Sequence, residues 1–321
     1  MTGTVDDRMD LPEGLDWVRG SPAGRAWLTA LPTWLAECAE RWSLRLGPPF
    51  RYAYASLALP ADLPDGTAAV LKLQYPDEES RHEADALAHW DGDGAIRLFA
   101  HDPGRRALLV ERCEPGTPLH DLPPDRALDA VIGLLPRLWR PSAAPFTPLG
   151  EEAAGWVDRM PRAWERAGRP YERRLLDAAL DLLTGLASSQ GEQVLVNQDL
   201  HAGNILAADG HAANALADDG LADDGLADDG LAAGRGPWLV IDPKPLTGER
   251  EFTVVPMVRG PELGHSPAAV RHRLDRLSTE LGLDRERVRG WTIGHSLAWS
   301  VADDSAFPEK IDVVRWLLNS K

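Results

Sequence analysis

Apolar residues recur along this chain with two periods, and the place where one gives way to the other divides it. The first helical stripe is Trp27, Leu31, Trp34, Leu35 and Cys38, opened by Ser21-Pro22 as N-cap and first helical residue. Pro32 is expected to shape or split that helix, and the twenty residues before it read as a loose lead-in. Strand-like runs follow at 50–59, at Ala69-Val-Leu-Lys-Leu73 after an Asp65-Gly66 hairpin turn, and at 95–100 and 106–111 around Asp102-Pro-Gly104. A helix from Pro76 to Trp90 interrupts them, with Ala84, Leu87 and Trp90 facing inward. Past Glu111-Arg-Cys-Glu-Pro-Gly116 the period becomes helical. Helices are predicted from Asp125 to Trp139, Glu151 to Ala167, Tyr171 to Ser188, Pro267 to Leu281, Asp284 to Trp299 and Pro308 to Asn319. The pattern predicts an α+β chain of two lobes. Residues 1–110 form an N-lobe with an antiparallel sheet, 111–116 a hinge, and 117–321 a mainly helical C-lobe.

Inside the helical half lies one stretch of opposite character. Val194-Leu-Val-Asn-Gln-Asp199-Leu-His-Ala-Gly-Asn204-Ile-Leu206 is an apolar strand, a polar loop and another apolar strand. Asp199 and Asn204 stand five positions apart, the spacing of a kinase catalytic loop (197–204 here). There the Asp accepts the proton of the attacking hydroxyl and the Asn ligates a magnesium ion. A second strand ends in an acid at Trp238-Leu-Val-Ile-Asp242-Pro-Lys244, where Asp242 takes the position of the main metal-binding Asp. A lone D-x4-N match is weak, because these are ordinary loop residues. The flanking strands and the second acid make it specific.

Lys72 places a charge in the middle of an apolar strand. An edge lysine keeping its ammonium in water is the plain alternative. Glu83, eleven residues later on the following helix, favours a phosphate-contacting lysine fixed by a helix glutamate. In the same scheme, backbone groups near Glu111 to Cys113 meet the adenine edge, with Cys113 itself a small apolar filler.

Composition narrows the partners. Net charge is −16 with many acids, which argues against nucleic acid or an anionic membrane and suits a cationic small molecule. Leu-Ala-Asp-Asp-Gly occurs three times in 216–230, within a low-complexity stretch at 207–236 that reads as a solvated, mobile hairpin tip. Its perfect copies hold six aspartates, so the remainder carries about −10, still acidic. Two cysteines, Cys38 and Cys113, make neither a disulfide framework nor a zinc site, and no leader or long apolar run appears. A cytoplasmic location is expected; the oligomeric state is not legible.

With these motifs in hand the chain resembles the aminoglycoside phosphotransferases, specifically the branch with streptomycin 6-kinases and hydroxyurea kinases. The runs that carry the likeness include Asp65-Gly-Thr-Ala-Ala-Val-Leu-Lys72-Leu, His82-Glu83-Ala-Asp-Ala-Leu, Leu109-Val-Glu111-Arg-Cys-Glu-Pro-Gly116, Asp199-Leu-His-Ala-Gly-Asn204 and Ile241-Asp242-Pro-Lys244-Pro-Leu-Thr-Gly248. The resemblance spans about residues 45 to 300. It implies a bilobal protein-kinase-like fold, ATP in the cleft with Mg²⁺, and γ-phosphate transfer to a hydroxyl of a small molecule. Asp199 would be the base, Asn204 and Asp242 the metal ligands, Lys72 the phosphate contact and Glu83 its partner. The acceptor expected is an aminoglycoside such as streptomycin. Hydroxyurea or an amino sugar, or a degenerate nucleotide-binding protein, stand as alternatives.

The chain also departs from the family. Asn197-Gln198 replaces His-Gly before the catalytic Asp, and the phosphate-covering turn near Tyr54 to Leu57 lacks glycine, leaving the Ser56 hydroxyl and backbone amides to meet the phosphates. Thr253 follows Phe252 where the family opens a helix with Asp, and is expected as an N-cap. Candidate contacts for a cationic acceptor are His201, Glu249, Trp299, Asp303 and Asp304: acids for guanidinium or ammonium, the indole for stacking.

Overall fold

A computed structural model describes residues 11–208, 235–302 and 305–319. The chain divides into two compact units, one of residues 1–92 and 96–113, the other of 93–95 and 114–321. In the first unit a five-stranded antiparallel sheet has the order β1-β2-β3-β5-β4, built from β1 (Arg45–Leu46), β2 (Ser56–Asp62), β3 (Ala68–Gln74), β4 (Leu98–Asp102) and β5 (Ala107–Glu111). The β2–β3 turn follows from its residues: Asp65 Oδ1 accepts the Thr67 amide at 2.9 Å, and Gly66 takes φ +88°, which a side chain would strain.

Helix α1 (Pro22–Arg41) starts where Ser21 Oγ accepts the Gly24 amide. It runs unbroken through Pro32, so Pro32 neither splits nor ends it. Its Trp27, Leu31 and Cys38 pack into one core with Leu57, Leu71 and Leu73 of the sheet. Residues 11–20 are not a loose lead-in. They hold a short 3₁₀ turn, Asp16–Gly20, and bury Leu15 and Val18 completely in that same core. Each such aliphatic side chain contributes about 1.5–3 kcal/mol. Helix α2 (Glu83–Trp90) is shorter than its apolar pattern implied, because Asp77 Oδ1 binds the Ser80 amide and hydroxyl and holds 77–80 as a turn.

In the second unit, α3 (Pro124–Leu138), α4 (Leu149–Arg166) and α5 (Arg173–Ala187) present apolar stripes. Two small antiparallel pairs carry the polar loops: β6 (Val194–Asn197) with β9 (Pro245–Gly248), and β7 (Ile205–Ala207) with β8 (Trp238–Val240). The helix Arg285–Ala298, capped by Asp284 on the Glu286 and Arg287 amides, lies against α5. The approach is close enough that a Cβ at Gly294 would meet Leu183 Cδ2 at 2.4 Å. Thr253 is not an N-cap. It lies inside the short helix Arg250–Thr253, and its hydroxyl accepts from Trp139 Nε1. Among the described residues no helix is long and apolar enough to cross a membrane. The Leu-Ala-Asp-Asp-Gly copies lie outside the described residues, as do Asp303 and Asp304.

Candidate active site

In the first unit Lys72 sits on a central strand, paired with Ala58 on one side and Leu108 on the other. It is therefore no edge lysine; 6% of it is exposed. Its Nζ donates to both carboxylate oxygens of Glu83 at 2.8 Å, and Glu83 is itself 2% exposed. Gln74 Nε2 donates to Glu83 Oε2 at 2.6 Å and to the Ser80 carbonyl, so the carboxylate is fixed from two strand positions. Such a desolvated pair persists only when its remaining lone pairs are met, and here they are. Of the other residues read as nucleotide contacts, Ser56 is buried at the start of β2 opposite Gln74. Glu111 ends β5 and accepts the Arg97 amide at 2.9 Å, and Cys113 is partly buried.

In the second unit the register of two strand pairs brings the polar loops together. β6 pairs with β9, so the residue after β6 and the residue before β9 are neighbours. Gln198 N donates to the Lys244 carbonyl at 3.1 Å. Asn197 fastens this meeting. Its Oδ1 accepts the backbone amides of Asp199 and of Lys244, each at 3.0 Å. Lys244 Nζ then reaches Asp199 Oδ2 at 3.3 Å. Burial pushes the Asp199 carboxyl up, but the cations around it, Lys244 above all, outweigh burial and hold it below the usual carboxylate range. The carboxylate is thus kept in its anionic form, the form able to accept a proton.

Asn204 is turned by its own loop. Its Nδ2 donates to the Asp199 carbonyl at 3.0 Å, which leaves its amide oxygen facing elsewhere. The next strand pair closes the second contact, with Ile241 N donating to the Asn204 carbonyl at 2.9 Å. Asp242 follows directly, in the left-handed region at φ +50°, a conformation Asp tolerates better than most residues. An amide oxygen and a carboxylate are hard donors of the kind magnesium takes. Among the described residues no group of three or more His, Cys, Asp or Glu forms a closed metal cage.

Beside Asp199 opens a cavity of about 370 Å³ lined by His201, Arg259, Glu262, Trp299 and Lys310. His201 Nδ1 accepts the Gly203 amide at 3.1 Å and faces Glu262, whose Oε1 accepts the Ala202 amide. Trp299 is present as expected, but as the floor of a cationic group. The Lys244 ammonium, Arg259 guanidinium and Lys310 ammonium lie 4.9, 5.3 and 5.8 Å from its ring centroid. Each such contact contributes about 0.5–2 kcal/mol, less than the several kcal/mol it costs to take a charge out of water. Burial first, and Arg259 next, bring the Lys310 ammonium down to about 8. His295 underlies the same ring at 4.7 Å and is packed between Trp156 and Phe252. Burial, with these cations adding, keeps its imidazole neutral far below its ordinary range.

Three residues missed in the sequence therefore shape this pocket. Lys244 carried a local signal, being the basic residue inside the Asp-Pro-Lys-Pro motif. Arg259 and Lys310 carried none. Arg273 belongs with them. Though 1% exposed, it donates to the carbonyls of Val258, Gly260, Leu263 and Gly264 and so clamps the segment on both sides of Arg259.

Glu249 does not join the pocket. It is 1% exposed and its carboxylate is taken by Arg287, by the Trp291 indole N–H and by the Gly191 amide. It lines a different cavity of about 340 Å³, with Arg250 and Arg287. Its charge is spent on bracing the helix Arg285–Ala298, which removes it as a cation contact.

Comparison with known proteins accords with this geometry. Residues 41–304 match the family model described as aminoglycoside/hydroxyurea antibiotic resistance kinase. The chain is 38% identical over 300 residues to a hydroxyurea phosphotransferase of Kitasatospora aureofaciens, covering 91% of this chain and 79% of that one. It is 34% identical over 310 residues to a streptomycin 6-kinase of Streptomyces griseus, covering 92% of each. Among solved structures, a choline kinase from Streptococcus pneumoniae superposes with a TM-score of 0.59 at 10% identity, covering 90% of this chain and 97% of that one. That last likeness concerns the fold alone.

Proposed function

The chain belongs to the aminoglycoside/hydroxyurea antibiotic resistance kinases, and from that premise we propose that it moves the γ-phosphate of ATP to a hydroxyl of a streptomycin-type aminoglycoside. The observation that carries this reading is the Asn197-fastened pair of loops, which sets an anionic Asp199 beside a cavity and Asn204 next to the residue preceding Asp242.

Each group then has one task. Lys72, fixed by Glu83, neutralises the nucleotide phosphates from the first unit, with Ser56 and its neighbouring amides beside them. Backbone groups of Glu111 to Cys113, in the 111–116 linker, meet the adenine edge. Asn204 and Asp242 would hold Mg²⁺, which would offset the negative charge of the nucleotide phosphates. Asp199 accepts the acceptor's hydroxyl proton as the oxygen bonds to the γ-phosphorus. The bond from that phosphorus to the bridging oxygen breaks, and ADP leaves with the electron pair. Positioning and charge neutralisation supply most of the rate, since the reaction asks little covalent work of the protein. Two free cysteines and an acidic chain suit a reducing cytoplasm without nucleic-acid partners.

A second acceptor, hydroxyurea, is favoured by one observation. The acceptor-side cavity sets two cations, Arg259 and Lys310, against two acids, Asp199 and Glu262, so it carries no excess of negative charge to draw a polycation and suits a small neutral hydroxyl compound. Incubating the protein with ATP, Mg²⁺ and each compound, then weighing the products, separates the two. A phosphoryl mass gain on streptomycin supports the first acceptor. A gain on hydroxyurea alone moves the assignment to the second, and a gain on neither overturns both.

A further inference from the structure

The Arg259 side chain makes no hydrogen bond or ion pair with any described residue. Its guanidinium rests on the Trp299 ring and its Nε is buried without a partner. Lys310 Nζ donates only to the Trp299 carbonyl, at 3.0 Å, and has no carboxylate within ion-pair distance among the described residues. Nearby acids are engaged elsewhere: Asp199 with Lys244, and Glu262 with the Ala202 amide. Lys310 also occupies the first turn of the helix Pro308–Leu318, the end where the helix dipole disfavours a positive charge. The Arg273 clamp fixes the backbone on both sides of Arg259, and the Trp299 ring supports its guanidinium. Two half-buried cations are thus gathered beside each other in the cavity that contains the proposed base. A guanidinium fork and an ammonium together match the oxygens of a phosphoryl group.

We propose that Arg259 and Lys310 form an anion subsite that receives the phosphoryl group once it is bonded to the acceptor oxygen. The inference rests on the reading of Asp199 as the base. Transfer leaves a phosphomonoester next to Asp199 while the proton sits on the carboxyl and ADP carries the departed electron pair. The new phosphate carries negative charge that Lys72 and the metal, engaged with the nucleotide, no longer share in full. Arg259 and Lys310 bind it there, draw the transfer forward and hold the product phosphate until release.

The test uses inorganic phosphate as probe, titrated calorimetrically into the full chain without nucleotide or acceptor. Wild type is expected to bind phosphate, and Arg259→Gln and Lys310→Met each to weaken it by about tenfold or more, with Arg259→Lys recovering part of the loss. ATP affinity stays unchanged in both variants, and circular dichroism reports whether they fold. In turnover the same substitutions lower kcat and leave the acceptor KM near its wild-type value. Phosphate binding indifferent to both substitutions, or an acceptor KM raised at constant kcat, overturns the subsite. Should Arg259→Gln fail to fold, Lys310→Met decides alone. Asp199→Asn separates the two levels of inference. If it leaves turnover intact, the reading of the base falls; if it abolishes turnover while Arg259→Gln and Lys310→Met leave phosphate binding untouched, only the subsite falls.

Discussion

Lys244 Nζ lies 3.3 Å from Asp199 Oδ2, and the two residues reach each other from loops forty-five positions apart because one asparagine side chain binds both backbones. The ammonium keeps the base ionised and aims one of its oxygens. Lys244→Met is therefore expected to lower kcat by about 10²-fold, and Asp199→Asn by about 10²–10⁴-fold, with ATP KM little changed in either. ADP release in a coupled assay reads both. Wild-type turnover in Lys244→Met shows that the contact has no catalytic consequence.

Asn197→Ala removes one acceptor and strands two amides. A loss of about 1–3 kcal/mol is expected in urea unfolding, together with a fall in kcat as Asp199 and Lys244 drift apart. Stability falling without any change in kcat separates the two effects and confines Asn197 to the fold.

The Lys72–Glu83 pair is buried on both sides, so breaking it from one end leaves a charge stranded. Glu83→Gln and Lys72→Met are each expected to cost about 3–5 kcal/mol or less where the neighbours relax, and the double variant less than their sum. Each also raises the ATP KM. Additive losses in the double-mutant cycle show that the two side chains do not couple.

His295 is buried neutral, with both ring nitrogens lacking partners among the described residues. Its folded pKa lies below the unfolded value, so the unfolded chain binds the extra proton as the pH falls beneath the ordinary histidine range. Stability is therefore full above that range and is lost on acidification, by up to about 1.4 kcal/mol per pH unit. His295→Phe is expected to remove that slope. Identical slopes in denaturant melts near neutrality and near pH 5 count against it.

Arg273 spends its guanidinium on four carbonyls around the Arg259 segment. Arg273→Met leaves those carbonyls unmet, and a loss of about 2–4 kcal/mol is expected along with weaker phosphate binding, although Arg273 itself does not line the cavity. Unaltered phosphate affinity in a folded variant shows that Arg259 holds its place unaided.

What the sequence made legible was local. Lys72 and Glu83 stand one strand and one helix apart, and Asp199 and Asn204 share one loop, so short spacing and the strand patterns sufficed to bring each pair together. The pocket wall was illegible for the opposite reason. Arg259, Arg273 and Lys310 come from three separate helices, and nothing near any of them in the chain distinguishes a cavity cation from a solvated one. Glu249 shows the converse error. An acid directly after Gly248 suits a ligand contact on composition, yet Arg287 and Trp291, about forty residues on, claim it. Helix bounds failed where a side chain intervened, as Asp77 does ahead of α2.

The tight crossing of Gly294 on Leu183 has a reach beyond packing. His295 and Trp299 ride on the same helix, so the thickness of one residue at that crossing sets how far the indole platform projects toward arriving molecules. Swapping that glycine for alanine pushes the platform without altering a single lining group. Shifts in which drug such a protein neutralises can therefore originate at a spot no inhibitor touches.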